Sequence, residues 1–272
     1  MPQLPVLKGA VAARQDDLVR YFHRIELEYG RHLAAAETQL ECGTALVNAE
    51  LITVYDANRV LDAALPAGTS AADAIAEVDE HFRAAGATCR RWIPNPSAPT
   101  ESVAPLVDHL LSLSFVRRTI DILHLPRLPQ APVMEVGGLQ IIPARASYRH
   151  ARSLAEEDAR EHMTPELADA ILMHLDDPHF EALLALKDGQ PVALAGVLGV
   201  GEWGGVQHLF VSEPFRRQGM GRTMMSRVLE VCVRSLYQHV LLRVRPQNAA
   251  AQALYRQLGF EKVGEMVEFT AP

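Results

Sequence analysis

The stretch from Phe210 to Arg222, which reads FVSEPFRRQGMGR, limits the fold of this chain more than any other part of the sequence. The apolar run at 208–211 is typical of a strand, and residues with helical apolar spacing follow the stretch. Between the two lies a basic turn that contains Gly219 and Gly221. A strand that turns through glycines into a helix leaves unpaired backbone N–H groups at a point that a ligand can approach closely. Because the helix dipole favours negative charge at this end, the pattern predicts an anion site in an α/β fold.

The spacing of the turn, Arg-x-x-Gly-x-Gly from Arg216 to Gly221, identifies the kind of site. It differs from the P-loop and from the Gly-x-Gly-x-x-Gly pattern of dinucleotide-binding folds. It resembles the pyrophosphate-binding turn of the GNAT superfamily of N-acetyltransferases. A second pattern of that family follows at the usual separation, because a strand at 239–245 leads into Asn-x-x-Ala-x-x-Leu-Tyr-x-x-x-Gly-Phe from Asn248 to Phe260. The resemblance is specific over about 178–269 and reaches back, more loosely, to about residue 137.

This resemblance implies an α/β fold of the GNAT type, with a mixed, twisted sheet and flanking helices. The C-terminal half has the corresponding order of elements. We predict a strand at 138–144, helices at 147–161 and 164–176, strands at 180–186, 192–200 and 206–211, and then helix, strand, helix and strand. The pair Asp188-Gly189 predicts a hairpin turn between the second and third strands.

The chain of 272 residues is long enough for two domains, and its first half echoes the second. A strand at 89–94 is closed by a proline, a helix is expected at 101–113, and the sequence at 113–116 mirrors that at 258–261. Gly68-Thr69-Ser70 opens a helix where the arginine-rich turn would stand. We interpret residues 1–132 as a degenerate GNAT-like copy, preceded by a long helix around 13–38, and 133–272 as the catalytic domain. An unrelated α/β extension is the alternative, and the proline-bearing segment 125–137 is the expected linker.

The resemblance also implies that acetyl-CoA is the co-substrate. Backbone N–H groups of the turn would hold the pyrophosphate, the end of the preceding strand would pair with the pantetheine arm, and Asn248 would bond that arm, cap a helix, or do both. A plain strand-to-helix turn is the alternative for the two glycines. The implied cofactor-binding set is Leu209, Phe210, Val211, Arg216, Arg217, Gln218, Gly219, Met220, Gly221, Arg222 and Asn248.

Tyr255 is the candidate general acid, because a phenol is protonated at neutral pH and can give its proton to a leaving thiolate. The alternative is a core aromatic, since residues 251, 254, 255 and 258 share one helix face. The general base is less clear. Many members of the family carry a glutamate at the position of Gln207, and a glutamine side chain cannot accept a proton at neutral pH. His208 and Glu202 are the candidates, and a structural role for His208 or a water relay stays open. On a regular strand the side chain of His208 would point away from that of Gln207, unless a bulge intervenes.

Composition narrows the class of partner. The net charge is −7 and neither half has a basic excess, which disfavours nucleic acid. The histidines lack metal-ligand spacing, so no metal is expected. No apolar run approaches the ~20 residues that span a bilayer, and no leader pattern is seen at the N-terminus. We therefore expect a cytoplasmic protein. Its three cysteines belong to no motif, and Cys232, on the apolar face of the helix after the turn, is expected to be buried.

The expected function is acetyl-CoA-dependent N-acetyl transfer, by direct attack of an amine in a ternary complex. The amine is expected on a small molecule or a peptide. A non-catalytic acyl-CoA-binding regulator is the alternative, and Gln207 is its main support. A nucleotide-phosphate binder that uses the same turn is a third class. Trp203, in the turn before the last strand of the meander, is expected to line the acceptor pocket or to be exposed.

Overall fold

The computed structural model describes residues 14–128 and 137–272. Within them, seven helices flank a single mixed sheet of eleven strands. The helices are α1 (Gln15–Leu33), α2 (Ala71–Ala84), α3 (Thr100–Ser112), α4 (Tyr148–His162), α5 (Leu167–Met173), α6 (Met220–Arg234) and α7 (Ala249–Gln257). The strands are β1 (Ala36–Leu40), β2 (Gly43–Val47), β3 (Arg59–Ala63), β4 (Arg91–Pro94), β5 (Val116–Leu125), β6 (Leu139–Pro143), β7 (Phe180–Lys187), β8 (Gln190–Val200), β9 (Trp203–Val211), β10 (His239–Val244) and β11 (Glu261–Thr270).

Local sequence signals fix several of the predicted element ends. The Asp188-Gly189 pair joins β7 to β8 with φ angles of 51° and 77°, as a tight hairpin requires. The Ser70 Oγ accepts the N–H of Asp73 at 3.1 Å and caps α2. Asn248 likewise caps α7, since its Oδ1 accepts the N–H of Ala251 at 3.1 Å. The hairpin, the helix opened at Ser70 and the cap at Asn248 are therefore confirmed.

The long N-terminal helix predicted at 13–38 is wrong at its C-terminal end. The helix ends at Leu33, and β1 begins at Ala36. Ala34 is extended, and the N–H of Ala35 donates to the carbonyl of Val47 at 2.8 Å. Pairing with β2 therefore overrides the helix propensity of the alanine run at 34–36.

The two halves share one sheet because they exchange their last strands. The order is β1-β2-β3-β4-β11-β5-β10-β9-β8-β7-β6. Thus β5, from the first half, lies between β10 and β11, while β11, from the second half, lies between β4 and β5. The parallel pairs β3–β4 and β9–β10 occupy equivalent places on the two sides of this centre. The repeated arrangement shows that the N-terminal half has the architecture of the C-terminal half, as the sequence predicted, while the boundary proposed at 132 lies outside the described residues.

The helices divide between the two faces of the sheet. Helices α1, α4 and α5 cover one face, with a core that includes Phe22, Ile25 and Phe180. On the other face α6 and α7 cover the C-terminal strands, and α2 and α3 cover the N-terminal ones. All three cysteines are buried and free, which confirms the expectation for Cys232. None of the helices in the described parts of the chain has the length and apolar character that crossing a bilayer demands.

Candidate active site

The parallel strands β9 and β10 separate halfway along their length. They pair from His239 opposite Trp203 to Leu242 opposite Val206, and there the pairing ends. Beyond this point β9 continues to Val211, paired with β8 on its other side. No described strand pairs with residues 207–211 from the β10 side. The gap therefore offers backbone groups of β9 to an extended ligand.

A bulge at His208 lies where the two strands separate. Leu194 of β8 faces Phe210 and Gly196 faces Gln207, so His208 and Leu209 together oppose a single residue. The backbone of His208 is left-handed, with φ 54°. As a result Gln207 and His208 both turn toward α1, where Gln207 contacts Glu26 at 3.4 Å and His208 contacts Tyr29. A bulge was the one condition under which the side chains of Gln207 and His208 would share a face, and the structure has that bulge.

The predicted anion turn has the expected local form. Gly219 is the N-cap of α6 with φ 84°, a conformation that favours glycine. No side chain caps the helix, so the N–H groups of Met220, Gly221 and Arg222 have no intrahelical partner. A Cβ on Gly221 would meet Leu254 at 3.5 Å and Val211 at 3.8 Å, which are ordinary contacts. The helix start is therefore open to an anion, and the fold itself has room for a side chain at Gly221.

The basic residues of the turn have different roles in the structure. Arg216 donates to the carbonyl of Val211 at 2.7 Å and to Glu161 of α4 at 2.5 Å, so it ties the turn to α4. Gln218 donates to the carbonyl of Pro214 at 2.9 Å. Arg217 and Arg222 form no ion pair within residues 14–128 and 137–272, and Arg217 is exposed. These two side chains, rather than Arg216, have guanidinium groups available to an anion.

A cavity of about 870 Å³ opens beside the gap between β9 and β10. The C-terminal half lines it with β9, the end of β10 and the turn after α4. The N-terminal half contributes the segment 53–56, Arg90 just before β4, Arg91 of β4, and Arg118 of β5. Tyr255, Gln207, His208 and Leu209 all line it, so several of the predicted site residues meet there. The cavity is therefore a space between the two halves, with walls from both.

Tyr255 is both a packed aromatic and a cavity residue. It lies on α7, is 7% exposed, and its ring meets that of Phe260 edge-on at 5.8 Å. In the described structure its hydroxyl has no hydrogen-bond partner. Burial raises the pKa of Tyr255 to about 12, so the phenol stays protonated at any working pH. The two interpretations of Tyr255, core aromatic and proton donor, are thus compatible.

His208 belongs to a buried cluster that reaches into α1. Its Nε2 hydrogen-bonds the hydroxyl of Tyr29, and the Tyr29 ring stacks on that of His174 with centroids 3.9 Å apart. Burial lowers the pKa of His208 below its usual value, so the ring is neutral at pH 7. A neutral imidazole that faces a cavity can accept a proton.

His174 should make the stability of the protein fall in mild acid. It is fully buried, neither ring nitrogen has a partner in the described structure, and burial lowers its pKa well below the usual value. Below pH ~6.5 the unfolded chain binds a proton that the folded chain refuses, so stability present above that pH is lost as the pH falls. His174→Phe keeps the stacking ring but cannot bind the proton. As the pH is lowered from 7.5 to 5.5, we expect the melting temperature of the wild type to fall about 2–4 °C further than that of His174→Phe.

Thermal unfolding of the two proteins across this pH range measures the effect. A difference between His174→Phe and the wild type that stays constant with pH would contradict the expectation.

The remaining predicted residues lie elsewhere. Glu202 is exposed in the turn before β9 and does not line the cavity. Phe210 is buried against the α1 face and Val211 packs on the α6 side, as does Leu209 beside the cavity that it lines. The two expectations for Trp203 are both wrong, because it is buried in a stack between Tyr21 and His239, with ring centroids 4.0 and 4.1 Å away. The predicted loop at 201–205 is shorter than expected, and Trp203 already belongs to β9.

A charged network at the base of the cavity was not foreseen. Asp56 contacts Arg91 at 2.7 Å, Arg59 at 2.8 Å and Arg243 at 3.3 Å. Burial opposes ionisation of Asp56, but these arginines hold its pKa well below the usual range. Fully buried Glu26 contacts Arg243 at 2.6 Å, and Glu268 contacts Arg91 at 3.2 Å. Charged residues inside otherwise apolar strands, such as Arg243 between Leu242 and Val244, were the available signal.

Together these features can hold an extended ligand with an anionic group. The anion would sit at the start of α6, the extended part would lie in the gap beside β9, and the reactive end would reach the cavity with Tyr255 and His208. No group of His, Cys, Asp and Glu side chains suited to a metal ion occurs in the parts of the chain that the structure describes.

Comparison with known proteins identifies this arrangement. Residues 145–260 match the model of the acetyltransferase (GNAT) family. The chain is 27% identical over 90 residues to a Bacillus subtilis (strain 168) protein that is provisionally named ribosomal protein bS18-alanine N-acetyltransferase. This match covers 33% of this chain and 60% of that protein. Against further curated relatives the match spans 24–26% of their length. The chain thus spans less than two thirds of the curated relatives it matches.

Solved structures extend the likeness to both halves. A GCN5-related N-acetyltransferase from Kribbella flavida is 18% identical with a TM-score of 0.64, and the match covers 93% of this chain and 95% of that one. A tandem GNAT protein from the clavulanic acid biosynthesis pathway is 17% identical with a TM-score of 0.52, over 73% of this chain and 68% of that one. At such identity these matches show the fold, and they show it for the N-terminal half as well.

Proposed function

Since residues 145–260 belong to the acetyltransferase (GNAT) family, we propose that this chain transfers an acetyl group from acetyl-CoA to an amine in a ternary complex. The observation that carries the proposal is the separation of β9 from β10 at the His208 bulge, next to an uncapped helix start. This combination suits a ligand that has a pyrophosphate at one end and an extended arm. Acetyl-CoA is such a ligand, and it supplies the acetyl group as a thioester.

In this proposal the backbone of the turn binds and orients the cofactor. The N–H groups of Met220, Gly221 and Arg222 hold the pyrophosphate, with Arg217 and Arg222 adding positive charge. The free edge of β9 at Leu209–Val211 pairs with the pantetheine arm. Binding at these points brings the reactive end into the cavity, where the amine is held against it.

Two side chains would move protons. Tyr255 lines the cavity as a protonated phenol and gives its proton to the leaving thiolate. His208 is neutral, and when its Nε2–H donates to the Tyr29 oxygen its Nδ1 is free to accept a proton from the amine. Tyr29, from the N-terminal half, would then be a positioning residue that sets the tautomer of His208.

A non-catalytic acyl-CoA-binding regulator is the second candidate. Gln207 favours it, because this position, oriented toward the cavity, carries an amide that donates to Glu26 in place of a carboxylate. Such a protein would bind acetyl-CoA without turnover.

Release of free thiol from acetyl-CoA, followed over a panel of amines, tests the proposal. We expect amine-dependent release together with a product heavier by one acetyl group in mass spectrometry. Tight calorimetric binding of acetyl-CoA with no release over the whole panel would favour the regulator instead.

A further inference from the structure

The carboxylates that line the cavity already have cationic partners. Asp56 contacts three arginines, Glu268 contacts Arg91, and Glu161 contacts Arg216. Asp158 contacts His162 at 2.9 Å, and its hydrogen bond raises the pKa of that histidine. None of these carboxylates is therefore free to bind a second positive charge on a substrate.

Three arginines that line the same cavity have no such partner. Arg90, Arg118 and Arg245 form no ion pair with any residue that the structure describes. Two of them are anchored through Nε, because Arg90 donates to the carbonyl of Ile52 at 3.1 Å and Arg118 donates to Thr270 at 3.3 Å. The anchors leave the terminal guanidinium nitrogens, the pair that binds a carboxylate in bidentate fashion, without a protein acceptor.

The place of Arg118 on the sheet explains why it is unpaired. On the neighbouring strand β11 the residue opposite Arg118 is Glu268, a natural cross-strand partner. Glu268 contacts Arg91 of β4 instead. The strand exchange thus brings two arginines to one carboxylate, and a positive charge remains on the wall contributed by the N-terminal half.

We infer that the amine acceptor carries a carboxylate, as an amino acid or an acidic peptide does, and that Arg118 and Arg90 bind this carboxylate. The inference rests on the proposed acetyl transfer. An amine with further positive charges, such as a polyamine, would meet an excess of arginines and no unpaired carboxylate. Arg245 lies at the end of β10 near the expected path of the cofactor, so the inference does not depend on it.

Matched pairs of amines test this inference. Glycine, leucine and phenylalanine are each compared with the corresponding C-terminal amide in the thiol-release assay. The α-amine of an amino-acid amide is less basic than that of the free amino acid. More of it is therefore unprotonated and able to attack at neutral pH, so chemistry alone would favour the amides. In the wild type we expect kcat/KM to be higher for the amino acids than for their amides. Arg118→Gln should lower kcat/KM for the amino acids about 10- to 100-fold, while kcat/KM for the amides should stay within twofold of the wild-type value.

Arg117→Gln is the matched control, because Arg117 is the next residue on β5, is exposed, and does not line the cavity. It should leave both classes of amine unchanged. Equal rates for amides and amino acids, or an equal loss of both in Arg118→Gln, would overturn the inference and leave the acetyl transfer standing.

Calorimetric titration without acetyl-CoA separates the two proposals. Glutamate should bind the wild type and Arg117→Gln but not Arg118→Gln, and the diamide of glutamate, glutaminamide, should bind none of them. If no amine is acetylated while this pattern persists, the proposed function fails and the carboxylate site stands. If glutamate binds the wild type and Arg118→Gln equally, the carboxylate site is wrong whatever the activity.

Discussion

Gly221→Asp should abolish binding of acetyl-CoA while the protein stays folded. A side chain at Gly221 meets no closer atom than Leu254 at 3.5 Å, and a carboxylate in the first turn of a helix is favourable for the fold. The same carboxylate would stand where we propose that the pyrophosphate binds, and opposed like charges cost several kcal/mol. Calorimetry should therefore give one acetyl-CoA per wild-type chain and a loss of at least ~100-fold in affinity for the variant.

Gly221→Asn separates charge from bulk. Asparagine has the size of aspartate without its charge, so its affinity should fall between those of the wild type and Gly221→Asp. Unchanged affinity in Gly221→Asp, with melting temperatures alike, would place the cofactor elsewhere.

Tyr255→Phe should lower kcat by roughly 10- to 1000-fold and change the KM for acetyl-CoA little. The ring packing on Phe260 is kept, since only the hydroxyl is removed. A proton delivered to the leaving thiolate matters in the transition state and not in binding, so the loss should fall on turnover. Because the pKa of Tyr255 is raised to about 12, no alkaline limb from this residue is expected in the pH profile of the wild type below pH ~10.

Tyr237→Phe is the comparison for this variant. Tyr237 is another tyrosine of the same half with a pKa raised by burial, yet it packs near Gly199 and Gly204, away from the cavity. Its kcat should match that of the wild type. A Tyr255→Phe enzyme with unaltered turnover, once chemistry is shown to limit the rate, would leave Tyr255 a core residue alone.

The sequence could predict what local chemistry determines. Two glycines and a helix pattern define the turn at 216–222, Asp188-Gly189 defines a hairpin, and Asn248 defines a helix start, and each is found in the structure. The sequence could raise a bulge near His208 as a possibility but could not predict it. The extra residue is visible only in the register between β9 and β8, and the alternation of side chains along β9 does not reveal it.

Long-range pairing explains what could not be predicted. Arg91 of β4 and Arg118 of β5 line the same side of the cavity because β11 pairs with both strands. No local sequence pattern predicts that β11 inserts between them. Trp203 was expected in a loop because glycines are typical of turns. Gly204, however, belongs to β9 and makes room for a neighbouring side chain, since a Cβ on it would meet Tyr237 at 2.8 Å. Glu26 is fully buried on α1, and the arginines of two distant strands offset the cost of its burial, a pairing that no local pattern reports.

The exchange of β5 and β11 also ties folding to the order of synthesis. Of the described strands, β11 is the last to leave the ribosome, yet its place is at the centre of the sheet, between β4 and β5. The N-terminal half emerges first, and one edge of β4 has no partner until residues 269 and 270 have been made. Exposed strand edges attract other chains, so the nascent protein carries this hazard from the synthesis of β4 until its translation is almost complete. A message truncated before residue 261 would yield a chain in which neither half can complete its sheet.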